Sequence, residues 1–311
     1  MKVLVLGAGA IGGYLGGRLA EAGQDITFLV RSTKKKQLDE RGLRINSVFG
    51  DLNSRVNTVT AKNVSANNDL VILACKSYHL KGALETATLS LKSDGAVLPI
   101  LNGIVHLDEL NSAFGPERVL GGTIKLSATC LPDGTIEHLN DWHWLKFGEQ
   151  NGELSPRAKA IEKVFKSTIG LKAYASENII HEMWEKFVHL ATAASITCLM
   201  RANSGQIASS VEGASLFQEM LETSASVARA KGYPPSQTFL DNYRKLFADK
   251  TASYATSMLR DIEAGKYIEG EEIIGTMLRY AKDTNIQSTL LTAAYAHIKA
   301  YEARHKNGGK L

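Results

Sequence analysis

An α/β first half followed by an all-helical second half is the fold class predicted by this 311-residue sequence. Three observations carry the prediction. The chain opens on a short apolar run that leads straight into a glycine cluster and then into helical spacing. Further continuous apolar runs follow over the first hundred residues, as in a parallel sheet covered on both faces. From Glu177 onward glycine thins out and apolar residues recur with a period of about 3.6.

Lys2 to Leu6 (Lys-Val-Leu-Val-Leu) reads as the first strand. Gly7-Ala8-Gly9-Ala10-Ile11-Gly12 follows it, and Ile11, Leu15 and Leu19 then mark one face of a helix. Ile26 to Val30 is the second strand. Strand, glycine turn, helix and strand in this order form the dinucleotide-binding fingerprint of a Rossmann-type domain. Gly7 permits the tight turn, Gly9 lets a pyrophosphate approach the backbone, and Gly12 lets the helix pack close. The helix start adds unpaired N–H groups and a positive dipole end. Where NAD sites place an acid after the second strand, this chain has Val30-Arg31-Ser32. Arg31 suits a 2′-phosphate, so NADP(H) is the expected cofactor. Lys34-Lys35-Lys36 reads either as a solvated helix start or as a lure for a phosphorylated ligand.

Asp69 to Cys75 and Ala96 to Leu101 are the next buried strands. Lys76 and Asn102 follow them at the carboxyl ends, where open parallel sheets bind ligands. Each is equally compatible with a simple turn, Asn102-Gly103 especially. Beyond Val119, Gly121 to Leu126, Gly134 to Leu139 and Trp144 to Phe147 read as antiparallel strands extending the sheet. His138 and His143 there have no partner at metal spacing, so no metal is expected. Ser155 to Thr168 reads as a helix with Pro156 in its first turn, and Leu171 to Ala175 as the last strand of the domain. The expected division is 1–175 for cofactor binding and 176–311 for a helical substrate and catalytic domain, with an active site in the cleft between them.

In the second half, helical spacing recurs over 213–231, 237–247 and 270–302, with Pro234-Pro235 as a break. Lys186, between Trp184 and Phe187, fits either a snorkelling lysine or a proton donor. Glu269 fits an acid at a helix start. Lys306 to Leu311 reads as a frayed tail.

Composition narrows the function classes. With 44% hydrophobic and 22% charged residues, disorder is excluded. A net charge of +4 from 36 basic and 32 acidic residues is too small for a nucleic-acid partner. Cys75, Cys130 and Cys198 are odd in number and widely spaced, which argues against a disulfide framework. No apolar run reaches the roughly 18 residues of a membrane span, so no membrane partner is expected. The first apolar run reads as a strand rather than a leader, which points to the cytoplasm.

These pieces together resemble the ketopantoate reductase (2-dehydropantoate 2-reductase) family. The carriers are Gly7 to Gly12 with Arg31, Cys75-Lys76, Leu101-Asn102-Gly103, Trp184-Glu185-Lys186, and Ser257-Met258-Leu259-Arg260-Asp261 with Glu269. The resemblance spans essentially the whole chain. It implies NADPH-dependent reduction of a small 2-keto acid to a 2-hydroxy acid in pantothenate biosynthesis. It makes Lys186 the catalytic acid and Glu269 a cofactor contact that supports the site. Ser257 and Asp261 become substrate residues, Asn102 lies near both ligands, and Lys76 and Ala128 are cofactor contacts. Asparagines that the family carries four, eight and eighteen residues after the lysine are Leu190, Ala194 and Ser204 here. That departure opens two alternatives, a different 2-oxo or imine substrate and a non-catalytic NADP(H) sensor. His189, Thr192, Ser195, Thr197 and Asn203 are other polar groups nearby in sequence. Oligomeric state stays open, a homodimer included.

Overall fold

A computed structural model describes residues 1–309; Lys310 and Leu311, the end of the expected tail, lie outside the described residues. Two compact units are present: Met1–Leu101 with His106–Ile180, and Asn102–Val105 with His181–Leu311.

In the first unit the strands are β1 (Lys2–Leu6), β2 (Asp25–Leu29), β3 (Leu43–Asn46), β4 (Leu52–Ser54) and β5 (Asn57–Val59). They continue with β6 (Asn68–Leu73), β7 (Leu91–Pro99), β8 (Leu120–Cys130), β9 (Ile136–Glu149) and β10 (Lys172–Ala175). The helices are α1 (Ala10–Glu21), α2 (Ser32–Arg41), α3 (Leu80–Ser90), α4 (His106–Phe114) and α5 (Pro156–Phe165). A parallel sheet runs in the order β5-β2-β1-β6-β7. Its central strands are buried at every position from Val3 to Leu6 and from Leu70 to Leu73, which is why they read as unbroken apolar runs.

The strands after Val119 do not extend this sheet. They build a second one, in the order β10-β9-β3-β4 with β8 on β9. The stretches 134–139 and 144–147 belong to one 14-residue strand, β9, with only a register shift opposite Leu126 to Ala128. β9 takes β8 antiparallel along one edge, and β3 and β10 in parallel along the other. With both edges filled, it has no hydrogen-bonding edge left for the first sheet. α1 lies between the two sheets. A Cβ at Gly16 would sit 2.5 Å from Phe28, at Gly13 2.4 Å from Ile136, and at Gly17 2.8 Å from Leu43 and Ile45. The glycines of this helix thus let both sheets close on it.

His138 and His143 are buried packing residues. Ser47 Oγ and the Trp142 carbonyl bracket the His138 ring at 2.9 and 2.8 Å, and Phe49 packs against both imidazoles. Ser155 caps α5 by accepting from the Ala158 N–H, 3.0 Å away.

The boundary between units falls after Ile180 rather than at 175. Ser176 still donates its N–H to the Phe147 carbonyl at 2.8 Å, so the chain stays tied to β9 past the end of β10. Asn102–Val105 groups with the second unit, although the residues on both sides belong to the first.

The second unit holds α6 (Ile179–Met200, apart from its first two residues), α7 (Ser204–Ala208), α8 (Val211–Ala230) and α9 (Gln237–Ala248). It continues with α10 (Ser257–Glu263), a π turn at Glu271–Gly275, α11 (Thr276–Asp283) and α12 (Thr289–Lys306). The stretch 270–302 is therefore two helices joined through a Ser288 cap. Trp184, Phe187 and Tyr280 form an aromatic core, with Tyr233 stacked on Trp184 at 5.1 Å.

Candidate active site

In the first unit the glycine turn has the shape a dinucleotide needs. Gly7 has φ of +102°, a left-handed conformation that glycine adopts without strain. Its N–H donates to the Leu29 carbonyl at 3.1 Å, fixing the turn across β1 and β2. Gly9 caps α1, and a Cβ there would meet nothing within 4 Å, so the space over the helix start is open. A Cβ at Gly12 would fall 2.1 Å from the Gly7 carbonyl oxygen and 2.7 Å from the Ala74 side chain. Ala8 is buried beneath the turn, while Ala10 and Ile11 begin the helix. Open space and unpaired amides at the start of a 12-residue helix fit a pyrophosphate.

Arg31 is exposed at the N-cap of α2 and makes no ion pair among the described residues. Lys35 and Lys36 pair along α2 with Asp39 at 2.9 Å and Glu40 at 3.9 Å, so the lysine run is mostly a solvated helix face. Lys76 caps a one-turn 3-10 helix (Ser77–His79) just past β6. His79 at the end of that turn has its pKa lowered, first by desolvation and then by the Arg31 charge. No pattern in the sequence marked His79 as a neighbour of Arg31. Ala128 lies on β8 opposite His138, where the register slips.

The second unit brings together three residues that are distant in sequence. Lys186 lies on the first turns of α6 and is half-buried. Desolvation pulls its pKa from 10.5 down to about 8, against the opposing pull of the Glu269 carboxylate. Glu269 itself is buried, and Asn102 Nδ2 donates to its Oε2 at 3.3 Å. The approach depends on Gly103, whose φ of +84° turns the chain, and whose missing Cβ would sit 3.0 Å from the Glu272 carbonyl oxygen. The π turn that begins at Glu271 follows directly; such turns are frequent at functional sites. The Asn-Gly pair was visible in the sequence, but the π turn was not.

Ser257 is the first residue of α10 and is exposed; Asp261 is half-buried one turn on. The start of α10 is fastened to α6. Thr256 caps α10 by accepting from the Leu259 N–H, and its hydroxyl lies 3.0 Å from that of Thr197. The preceding residues are held as well: Ser204 N–H donates to the Tyr254 carbonyl at 2.9 Å, and Gly205 N–H to the Ala252 carbonyl at 2.8 Å. His189 stacks on Tyr243 at 4.2 Å and meets the Tyr254 hydroxyl at 3.0 Å. Burial raises both tyrosine pKa values, that of Tyr243 to about 12. Asn203 is used as the cap of α7, and Thr192, Ser195 and Ser204 are fully buried. Among the described residues no His, Cys, Asp or Glu cluster could hold a metal, and no helix is long and apolar enough to cross a membrane.

Comparison with known proteins gives consistent matches. Residues 3–152 match the family model described as ketopantoate reductase PanE/ApbA, and residues 178–302 match its C-terminal counterpart. An uncharacterized oxidoreductase of Bacillus subtilis (strain 168), YkpB, is 33% identical over 303 residues, covering 97% of this chain and 99% of that protein. A 2-dehydropantoate 2-reductase of Pyrococcus abyssi is 31% identical over 311 residues, covering 97% and 98%. Among solved structures, 2-dehydropantoate 2-reductase from Methylococcus capsulatus superposes with a TM-score of 0.86 at 28% identity, covering 98% of both chains. D-mandelate dehydrogenase, solved with NADH and anilino(oxo)acetate, shares the fold with a TM-score of 0.87 at 20% identity, covering 98% of this chain and 100% of that one.

Proposed function

The chain belongs to the ketopantoate reductase family, and from that premise we propose that it reduces a 2-keto acid to the corresponding 2-hydroxy acid at the expense of NADPH. The observation that carries this reading is the grouping of Lys186 with buried Glu269, which in turn accepts from Asn102. A sensor that only binds a nucleotide has no need of a lysine held near pKa 8 beside a buried carboxylate.

NADP(H) is the cofactor. The turn from Gly7 to Gly12 and the first amides of α1 would hold its pyrophosphate, Arg31 its 2′-phosphate, and Lys76 and Ala128 further contacts. Bound dihydronicotinamide supplies a hydride to the keto carbon. This chain's residues manage the oxygen. The Lys186 ammonium donates a hydrogen bond to the keto oxygen, stabilises the negative charge that develops there, and passes its proton to the alkoxide. With a pKa of about 8, Lys186 is mostly protonated at neutral pH, yet gives up its proton more readily than an ordinary lysine. Glu269 counters the desolvation of the ammonium, and Asn102 holds the carboxylate in place. Ser257 and Asp261 are assigned to the substrate. The net change is keto acid, NADPH and one proton to hydroxy acid and NADP⁺.

Ketopantoate, with a place in pantothenate biosynthesis, is one substrate of this class. A different 2-oxo acid or an imine is the second reading, and the apolar Leu190 and Ala194 favour it. The test is NADPH oxidation followed by absorbance over linear, branched and aromatic 2-keto acids. Turnover of at least one supports the reading. Tight NADPH binding without any turnover supports the sensor instead.

A further inference from the structure

We propose that Tyr295, Ile298 and Tyr301 of α12 are positioning residues for the reduction: together they hold the segment 266–271 so that the Glu269 carboxylate stays within reach of the Lys186 ammonium. This rests on the reductase reading and names residues that act on its site through Glu269.

The segment that carries Glu269 runs from the end of α10 into the π turn, and α12 grips it at three points. The Tyr301 hydroxyl donates to the Lys266 carbonyl at 2.7 Å. At the other end the Tyr295 hydroxyl donates to Oε2 of Glu271 at 2.8 Å. Between these two bonds, Gly270 lies so close to the helix that a Cβ there would meet Ile298 Cδ1 at 2.6 Å. Tyr295, Ile298 and Tyr301 are spaced three apart, so they share one side of α12 over about 9 Å. Ile298 and Tyr301 are buried, which makes the grip part of the packed interior.

The Glu271 end is itself anchored. Its carbonyl accepts from the Thr276 hydroxyl at 3.2 Å, and a Cβ at Gly275 would fall 2.7 Å from its Oε1. Lys299 at 3.7 Å and Arg279 at 3.9 Å also face its carboxylate.

The consequence for the site follows from Coulomb's law. Glu269 is the charge that opposes the desolvation of Lys186. At an effective dielectric constant of about 20, a carboxylate that retreats from about 5 Å to about 6 or 7 Å weakens its hold enough to shift the loss of the proton down by about half a pH unit. Asn102 bonds the same carboxylate at 3.3 Å, but one side-chain bond cannot hold it if the backbone beneath moves.

The test uses the full-length protein with saturating NADPH and ketopantoate, 2-oxobutyrate or phenylpyruvate, whichever is turned over fastest. The double variant Tyr295→Phe with Tyr301→Phe keeps both rings and removes both hydroxyls. Its kcat is expected to fall by about 10-fold, with the alkaline limb of kcat about half a pH unit lower and KM for NADPH within about 2-fold of the parent. Gly270 has a helical backbone (φ −68°, ψ −42°), so alanine there is strained by contact alone. Gly270→Ala pushes the segment off Ile298 and should move the limb in the same direction. Ile298→Val removes the colliding Cδ1, so combining it with Gly270→Ala should restore both kcat and the limb. A grip that serves stability alone lowers the melting temperature and leaves the limb in place. That result, or a combined variant as impaired as Gly270→Ala, overturns the proposal without touching the reductase reading. Silence of the unaltered protein toward all three keto acids, with NADPH still bound, overturns the reductase reading and this proposal with it.

Discussion

Replacing Lys186 by Met, which keeps the length and removes the charge, is expected to stabilise the protein while disabling it. The ammonium pKa drops from 10.5 to about 8 because desolvation outweighs the attraction of Glu269, so that attraction is already counted in the net effect. A lysine whose folded pKa lies below its unfolded one costs stability wherever the folded form must stay protonated. The cost is present in full below about pH 8. It is relieved as the pH climbs from about 8 to 10.5, where the folded chain has released a proton that the unfolded chain still holds. At about 1.4 kcal/mol per pH unit the cost is about 3 kcal/mol, and screening at the half-buried side chain brings it to about 2 kcal/mol. Lys186→Met should therefore melt a few degrees higher than the parent at neutral pH, with the gap closing toward about pH 10. Turnover should fall by about 10²–10⁴-fold, while NADPH affinity changes little. In the parent, turnover should decline as the pH rises through about 8, because the proton donor is lost. Thermal melts across this pH range, with turnover measured in parallel, check both arms. A variant less stable than the parent at neutral pH, a gap that ignores pH, or parent turnover that is flat through pH 8 would refute the reasoning.

Gly12→Ala places a methyl group against the Gly7 carbonyl and Ala74, so it should cost about 1–3 kcal/mol and weaken NADPH binding, measured as the melting shift with and without cofactor. Arg31→Ala should weaken NADPH binding by about 10-fold or more and leave NADH nearly unaffected in calorimetric titration; equal losses for both cofactors would count against the 2′-phosphate assignment. Glu269→Gln removes the charge that raises the Lys186 pKa, so the alkaline fall in turnover should move below about pH 8; an unmoved limb would show that Glu269 acts otherwise.

Local signals were strong where one short segment decides its own shape. β1, the Gly7 turn and α1 were readable because strand, turn and helix follow one another without a break, and Gly7 and Gly12 answer to contacts within the same motif. The second sheet was not readable. β4 is only three residues long and partly buried, too short for an alternating pattern to show. β9 passes through Asn140 and Asp141, which read as a turn, and its identity as one strand comes from partners on both edges. The candidate site divides in the same way. Asn102, Lys186 and Glu269 are expected from their local sequence together with the family resemblance, and Ser257 from the resemblance alone. The pairing of Asn102 with Glu269 spans 167 residues and depends on a turn at Gly103 packed against a π turn that has no sequence signature.

The dozen residues of α1 answer to two demands at once. Their amino end is the proposed place of the cofactor pyrophosphate, and their glycines are spent on closing two sheets. A substitution at Gly13, Gly16 or Gly17 would be removed by selection as a folding failure before any effect on the ligand could be tested. Cofactor preference is therefore free to drift only off this helix, at Arg31 and its neighbours, and a mutant library aimed at exchanging cofactors would yield most if α1 were left untouched.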